Sequence, residues 1–395
     1  VRSPAWLKET GNFSGSYTLV NSATSTSVAG AASGNYLVFP GLKGNITIDP
    51  TQTTGVSRAP LNGFQIVKWE THSAIPGADD ATAKVALYGG NVTVSANRTI
   101  GSLATSVGTG GDLTISSGIT LTLANGDLDM GDINNWIKGG GNITSGTNVL
   151  TINRDISNGL GYAGGATASA INGANLVNNG ATPLQVVKTG FGTMRITSNQ
   201  PYTGGTTVNQ GVLELNGGGN GLTGAIRGTA TVNAGATLRL SSSDVTGYGT
   251  GSDRLHTIHL VGGTLHVNTG TGINQTLGSA VINMTGGAIT GVAGSNLDFF
   301  AGSSAINTLA SSTTSSISGA KIQIRQTGGL TITVADGAAA TDLSVSSVIS
   351  NYTGFGSDPL IKAGAGTMTL STQATYTGGT TVNGGAQLLF VLKNP

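Results

Sequence analysis

The sequence predicts an all-β protein in which short strands stack along one axis as a β-solenoid. Three observations predict this fold class. Gly, Thr, Ser and Asn together fill 189 of the 395 positions, while only 9% of the residues are charged. A segment that begins at Lys188 recurs from Lys362 with more than half of its residues unchanged. Between the two copies, strand patterns headed by Gly recur at a nearly regular interval.

The composition excludes other fold classes. Average soluble domains contain roughly 7% Gly and about 25% charged residues, whereas this chain has 65 Gly. Helix formers are scarce, with three Glu and four Met. Disorder is disfavoured because 37% of the residues are apolar and the net charge is only +1. A collagen triple helix needs Gly at every third position, and that pattern does not occur.

The strongest internal repeat pairs Lys188–Gly211 with Lys362–Gly385. The two segments read KTGFGTMRITSNQPYTGGTTVNQG and KAGAGTMTLSTQATYTGGTTVNGG and match at 14 of 24 positions without a gap. Self-similarity with a repeat unit of this size is typical of proteins that stack one structural unit on the next. The repeat therefore predicts a solenoid instead of two or three globular domains.

Regular glycine positions set the length of one coil. The Gly before each strand falls at Gly211, Gly235, Gly263 and Gly287, so the spacing is nearly constant. Gly adopts the positive φ of a tight corner without steric cost. At about 24 residues per coil and about 4.8 Å between coils, the chain length allows about 16 coils and a rod of about 75 Å.

Alternation within the strands predicts which side chains form the core. In Thr229–Leu240, TATVNAGATLRL, we expect Val232, Leu238 and Leu240 to point inward and Arg239 to face water. One coil alone cannot bury its apolar face, but stacked coils bury a continuous core. Outward Thr hydroxyls can form hydrogen bonds along a ladder of like residues.

Residues 1–85 differ from the rest and hold seven of the 19 aromatic residues. We interpret them as an N-terminal cap or as elaborated first coils, because the open end of a solenoid exposes apolar side chains and free strand edges. Residues 86–395 are assigned to the solenoid.

Charge and cysteine content restrict the partners. A net charge of +1 provides no basic excess to neutralise phosphates, so nucleic acid is not expected as a partner. The chain has no Cys, which removes disulfides and thiolate sites and is consistent with export. The sequence contains no apolar run long enough for a membrane-spanning helix, so no integral membrane span is expected. The start at Val1, VRSPAW, is consistent with a mature chain after removal of a signal peptide.

The two strong repeats, assigned to 188–215 and 362–389, resemble the autotransporter-associated β-strand repeat of bacterial autotransporter passengers. The resemblance rests on GTM-x-[IL] at Gly192–Ile196 and Gly366–Leu370, and on YTGGTTVN at Tyr202–Asn209 and Tyr376–Asn383. The signature residues are Gly192, Thr193, Met194, Tyr202, Thr203, Gly204, Gly205, Thr206, Thr207, Val208, Asn209, Gly366, Thr367, Met368, Tyr376, Thr377, Gly378, Gly379, Thr380, Thr381, Val382 and Asn383. The resemblance implies a right-handed parallel β-helix that is secreted or displayed on the bacterial outer surface.

The second repeat departs from the first at its end. VLELN follows Gly211, whereas AQLLF follows Gly385, so the apolar phase shifts by one residue. Such a shift exchanges the two faces of a strand. We therefore expect the final strand to turn its faces over.

Candidate chemical sites are few. Asp79 and Asp80 could act as the acid and the base or nucleophile of a glycosidase; the alternative is a charged loop near the cap, since neighbours on a strand point to opposite faces. Asp127, Asp129 and Asp132 in NGDLDMGD are weak calcium candidates. The alternative for these three residues is a polar solenoid corner.

These features favour a non-enzymatic extracellular rod that adheres to surfaces or self-associates. A homo-oligomer or filament is the expected assembly, and cell-surface glycans are a further class of partner. No catalytic residue and no cofactor are predicted. The alternative function is a polysaccharide-degrading β-helix enzyme, either a lyase or a glycoside hydrolase, which requires acidic residues grouped on one flank.

Overall fold

A computed structural model describes residues 18–21, 35–38, 70–87, 90–105, 111–130, 136–154, 169–219, 221–249, 251–271, 273–300, 302–383, 385 and 387–390. The chain divides into two compact units, 1–70 with 156–166 and 71–155 with 167–395. In the first unit, β1 (Thr18–Asn21) and β2 (Asn35–Val38) pair antiparallel. Most of the predicted cap over 1–85 lies outside the described residues and stays a prediction.

The other strands are short and follow one another closely along the chain. In chain order they are β3 (Glu70–His72), β4 (Asp80–Leu87), β5 (Val92–Val94), β6 (Arg98–Ala104), β7 (Leu113–Ile115), β8 (Thr120–Asp129), β9 (Trp136–Lys138), β10 (Asn142–Ser145), β11 (Val149–Asn153), β12 (Ser169–Ile171), β13 (Asn175–Leu176), β14 (Gln185–Thr189), β15 (Thr193–Ile196), β16 (Thr206–Val208), β17 (Gly211–Leu215), β18 (Gly228–Asn233), β19 (Ala236–Leu240), β20 (Leu255–Val261), β21 (Thr264–Val267), β22 (Asn274–Gly278), β23 (Val281–Thr285), β24 (Ala288–Gly291), β25 (Asn296–Phe300), β26 (Ala305–Thr308), β27 (Ser315–Ile317), β28 (Lys321–Arg325), β29 (Leu330–Val334), β30 (Leu343–Val345), β31 (Ile349–Asn351), β32 (Leu360–Ala363), β33 (Thr367–Leu370), β34 (Thr380–Val382) and β35 (Gln387–Phe390).

These strands form three sheets along the solenoid. The first sheet runs β3-β4-β6-β8-β11-β14-β16-β18-β20-β23-β26-β29-β32-β34, with β10 and β13 on a side branch. The second sheet has 13 strands, β5-β7-β9-β12-β15-β17-β19-β21-β24-β27-β30-β33-β35, and the third has four, β22-β25-β28-β31. From β4 onward, strands pair in parallel with a strand of the next coil.

This parallel stacking confirms the predicted all-β solenoid. The sequence predicted about 16 coils for all 395 residues, at about 24 residues per coil. The described second sheet contains 13 strands, one from each successive coil. The described residues contain no helix long and apolar enough to span a membrane.

The core is built from columns of buried aliphatic side chains. On the first sheet, Val208, Val232, Leu260 and Met284 are register partners on successive strands, and all four are fully buried. Fully burying one such side chain stabilises the fold by about 1.5–3 kcal/mol. Stacking therefore supplies the core that a single coil lacks.

The predicted faces of the central strands are confirmed. Val232, Leu238 and Leu240 are buried, whereas Arg239 is partly exposed on the opposite face. Leu238 pairs with Leu213 of the preceding coil and with Leu265 of the next. Register partners on successive coils therefore recur at nearly the same interval as the corner glycines.

The expected inversion of the final strand is wrong. Leu388 of β35 pairs with Met368, and Phe390 pairs with Leu370, so both take the positions that Leu213 and Leu215 hold in the first repeat. The turn before β35 is one residue longer than the corresponding turn before β17, because Thr367 pairs with Gln387 whereas Thr193 pairs with Val212. The extra residue keeps the apolar side chains in their columns.

Candidate functional site

Each strong repeat begins with a lysine that points into the solenoid core. Lys188 is the register partner of the inward-facing Val208, and its side chain is fully buried. Its Nζ donates hydrogen bonds to the main-chain oxygens of Thr189 and Gly190, both at 2.7 Å, and of Gln210 at 3.2 Å. Because Gln210 belongs to the next coil, the ammonium joins two successive corners.

Lys362 reproduces this arrangement in the second repeat. It is fully buried, and its Nζ donates to the main-chain oxygens of Ala363 at 2.9 Å and Gly364 at 2.8 Å. Burial lowers the pKa of Lys362, although the nearby Asp342 carboxylate acts in the opposite direction. The predicted signature omits both lysines, because a charged residue in an alternating strand normally indicates the outer face.

The GTM segments place methionine in the core directly after the lysine corner. Met194 and Met368 are fully buried. Gly366 allows close backbone packing, since a Cβ there would lie 2.4 Å from the main-chain oxygen of Ala335. The amide of Thr367 donates to Asp342 Oδ2 at 2.8 Å, which ties this turn to the preceding coil.

The two glycines of YTGGTTVN have different structural roles. A Cβ on Gly204 would lie 2.5 Å from the main-chain oxygen of Leu184, and Gly205 has a φ of 83°. Gly378 and Gly379 repeat this division, with backbone atoms 2.3 Å from a Cβ on the first and a φ of 82° at the second. The first glycine permits close approach and the second forms the corner.

The tyrosine of the same motif makes one hydrogen bond in both repeats. Tyr202 Oη lies 2.6 Å from Thr206 Oγ1, and Tyr376 Oη lies 2.6 Å from Thr380 Oγ1. Tyr202 is fully buried, which raises its pKa, while Tyr376 is partly exposed. The tyrosine and the first threonine after the two glycines thus make the same contact in both repeats, and a structural role for the signature stays a prediction.

The outer face of the first sheet carries a row of polar side chains without Lys, Arg, Asp or Glu, here called the polar ladder. Its members are register partners on successive strands: Thr207, Thr231, His259, Asn283 and Asn307. Asn307 Nδ2 donates to Asn283 Oδ1 at 3.0 Å, and Asn283 Nδ2 lies 3.4 Å from His259 Nδ1. Each side chain is partly exposed, so the ladder presents hydrogen-bonding groups to solvent at each of these five coils.

The corresponding row on the second sheet is charged. Arg195, Glu214, Arg239 and His266 are register partners, and Arg195 Nη2 lies 2.9 Å from Glu214 Oε2. Partial burial and the neighbouring Arg239 lower the pKa of His266. Over these coils, the outward row of the second sheet therefore carries Arg and Glu side chains that the polar ladder lacks.

The carboxylates of Asp79 and Asp80 both accept hydrogen bonds from threonines of the solenoid. Asp79 Oδ1 accepts from the amide of Thr99 at 2.9 Å. Asp80 Oδ1 accepts from the hydroxyl and the amide of Thr82 at 2.6 and 2.8 Å, and these bonds lower its pKa. A glycosidase acid needs a raised pKa, so the environment of Asp80 at the start of β4 suits a structural role better than catalysis.

The calcium candidates are only partly described. Asp127 and Asp129 lie on the same face of β8, and Asp127 Oδ2 accepts from Ser102 Oγ at 3.3 Å. Asp132 lies outside the described residues. Within the part of the chain that the structure describes, no group of three or more His, Cys, Asp or Glu residues could hold a metal ion. Calcium binding by the three aspartates stays a prediction.

Sequence reasoning missed a buried ion pair on the third sheet. Asp298 of β25 is fully buried, and its Oδ2 lies 3.1 Å from Arg325 Nη1 of β28. Burial raises the pKa of Asp298 to about 6, although Arg325 acts in the opposite direction. Thr276 and Gln323, the register partners of Asp298 on either side, are also buried.

Comparison with known proteins places the strong repeats in a described family. The family model of the passenger-associated transport repeat matches residues 186–215 and 360–386. These two segments contain the lysine corners, the GTM turns and the YTGGTTVN motifs.

A longer stretch of the chain resembles the adhesin BmaC autotransporter of Brucella suis biovar 1 (strain 1330). The two are 33% identical over 173 residues, which cover 41% of this chain and 4% of that protein. The chain thus matches a small part of a much longer relative. No solved structure matches the chain. Together, the stacked parallel strands and the matched repeats identify the chain as an autotransporter-passenger-like β-helix protein that carries two passenger-associated transport repeats.

Proposed function

We propose that this chain is a non-enzymatic adhesive segment that acts outside the cell or on the bacterial outer surface. The observation that carries the proposal is the polar ladder, which offers one hydrogen-bonding side chain per coil from Thr207 to Asn307. Weak contacts that repeat along one rigid object act together and give avidity. The similar Brucella protein is named an adhesin, which supports the same function.

The enzymatic alternative has less support among the described residues. Asp79 and Asp80 are held by hydrogen bonds to Thr99 and Thr82. Asp298 has a raised pKa, but its side chain is fully buried and paired with Arg325. A general acid must reach the substrate as well as carry a suitable pKa.

We expect the purified chain to bind cultured epithelial cells, with cell-surface glycans as the class of partner. Replacing His259, Asn283 and Asn307 together with Ala should weaken binding about tenfold, because three adjacent contacts are lost at once. The matched control replaces Arg239, His266 and Thr290, which are outward register partners on the second sheet. Flow cytometry with labelled protein measures both variants.

Equal binding by both variants and the unaltered chain would contradict a role for the polar ladder. Absence of binding by the unaltered chain would contradict the adhesive function itself.

Incubation with a panel of polysaccharides, followed by assays for reducing ends and unsaturated products, tests the enzymatic alternative. Product release that Asp80→Asn abolishes would establish that alternative.

We also propose that copies of the chain associate into homo-oligomers or filaments. A net charge of +1 gives little repulsion between copies, and charged side chains are only 9% of the chain. Multi-angle light scattering should therefore show a mass that rises with protein concentration. The rise should persist at about 0.5 M salt, where surface charges are strongly screened. A constant monomer mass over the whole concentration range would rule out self-association.

A further inference from the structure

We propose that an aromatic–arginine cluster beside the third sheet is a binding subsite for neutral saccharide chains. The cluster consists of Phe300, Arg325, Tyr352 and Phe355. The proposal rests on the adhesive function above and assigns it a second contact region with a defined ligand class.

Successive coils bring the cluster together. The guanidinium carbon of Arg325 lies 4.3 Å from the ring centroid of Tyr352, 4.8 Å from that of Phe300 and 4.9 Å from that of Phe355. Tyr352 and Phe355 meet edge to face with centroids 6.0 Å apart. Tyr248 extends the cluster, with its ring 5.9 Å from Phe300 in the same geometry. Arginine stacked among three rings is held in one position.

The ion pair beneath the cluster balances its charge. Arg325 Nη1 lies 3.1 Å from Asp298 Oδ2, and Asp298 is fully buried. Arg325 keeps about a quarter of its side chain exposed, at 26%. Because the single positive charge already has a buried partner, the surface does not select an anion. An uncharged polar ligand suits it better.

The loop that carries Phe355 is anchored at its base and open at its tip. Asn351 Nδ2 donates to the main-chain oxygen of Asp358 at 2.9 Å, and the amide of Phe355 donates to Tyr352 O at 3.1 Å. A Cβ added to Gly354 or Gly356 would have no atom within 4 Å. Hydrogen bonds therefore fix the base of the loop, while the glycines on either side of Phe355 leave room for a ligand beside its ring.

The exposure of Phe355 argues against a purely structural role for this ring. Its side chain remains 45% exposed, whereas Phe299, which packs in the core, is fully buried. The faces of saccharide rings carry C–H groups with partial positive charge, and these pack against the negative face of an aromatic ring. Exposed hydroxyls of Thr353 and Ser357 on the same loop can bond to sugar hydroxyls. A rigid aromatic surface with a polar rim fits a saccharide.

Isothermal titration calorimetry on the full chain tests the subsite. The neutral probes are cellohexaose, chitohexaose and maltohexaose, and the acidic probe is polygalacturonate. We expect at least one neutral hexamer to bind, and Phe355→Ala to weaken its binding about tenfold, the effect of losing one stacking ring. Phe191→Ala is the matched control, because Phe191 is an exposed ring outside the cluster. It should leave binding unchanged.

Thermal unfolding separates a binding defect from a folding defect. Phe355→Ala should lower the melting temperature by no more than about 4 °C, because it removes only the partly exposed contacts with Arg325 and Tyr352. Binding of polygalacturonate alone, of no neutral hexamer, or of a neutral hexamer with the same affinity in Phe355→Ala would overturn the subsite. The cell-binding assay remains independent, since adhesion that persists in Phe355→Ala would leave the polar ladder as the adhesive surface.

Discussion

Replacing Lys188 with Ala should lower the free energy of unfolding by about 3–5 kcal/mol, because it removes buried volume and hydrogen bonds together. The Lys188 ammonium donates to the main-chain oxygens of Thr189, Gly190 and Gln210. Without it, buried acceptors at two successive corners lose a donor, and each unsatisfied group costs about 1–3 kcal/mol. Urea unfolding followed by circular dichroism measures the loss.

Lys188→Met separates the two contributions to the Lys188→Ala effect. Methionine keeps most of the buried stem, so this variant should recover part of the stability while the carbonyl oxygens remain without their donor. Lys84→Ala is the surface control, because Lys84 is exposed on β4, and its effect should stay within about 0.5 kcal/mol. If Lys188→Met were as stable as the unaltered chain, the carbonyl bonds would contribute nothing and the corner argument would fail.

The sequence pattern was sufficient to predict the solenoid and its faces. Alternation placed Val232 and Leu238 inside and Arg239 outside, and the structure confirms all three positions. It failed at Lys188 and Lys362, where charge indicates exposure but backbone oxygens at a glycine corner accept the ammonium. The signal for burial was available in the sequence, since one lysine stands at the head of each repeat. A surface lysine need not recur at the same place in a coil.

The register of the final strand shows a second limit. Comparing AQLLF with VLELN predicted an exchange of faces, but Met368 pairs with Leu388 because one extra residue enters the turn. Register pairing with the preceding strand outweighs the preservation of loop length, since loops tolerate insertions at low cost. Strand phase is therefore better read from the apolar residues than from the distance to the preceding glycine.

The third sheet could not be predicted from strand alternation. Thr276, Asp298 and Gln323 lie at positions where alternation indicates solvent, yet all three are buried. Asp244 Oδ1 accepts from the amide of Thr276 at 2.9 Å, which brings the segment before Tyr248 against this sheet. The covering segments come from other coils, so no local sequence pattern reveals them.

Acidification should make the unaltered chain more stable relative to Asp298→Asn. Burial raises the folded-state pKa of Asp298 to about 6, from an unperturbed 3.8. Between these values the folded chain binds more protons than the unfolded chain, so this group's stabilisation is complete below the unfolded pKa and is lost as the pH rises through about 6. One pKa unit corresponds to about 1.4 kcal/mol, so Asp298 contributes at most about 3 kcal/mol to the free energy of unfolding.

The effect is measured as the difference in unfolding free energy between the unaltered chain and Asp298→Asn at pH 7.5 and at pH 4.5. The difference isolates one carboxylate, because other groups such as Asp80, with its lowered pKa, titrate in both proteins. Asp253→Asn, which removes a solvent-facing partner of Arg227, controls for the loss of one carboxylate. If this difference in unfolding free energy were the same at both pH values, the carboxylate of Asp298 would not be buried in the way that the structure shows. A relative gain at pH 4.5 would instead establish that the buried ion pair beneath Phe300 and Tyr352 is maintained at neutral pH at a cost in stability. Such a cost is expected where a surface must hold an arginine in a fixed position.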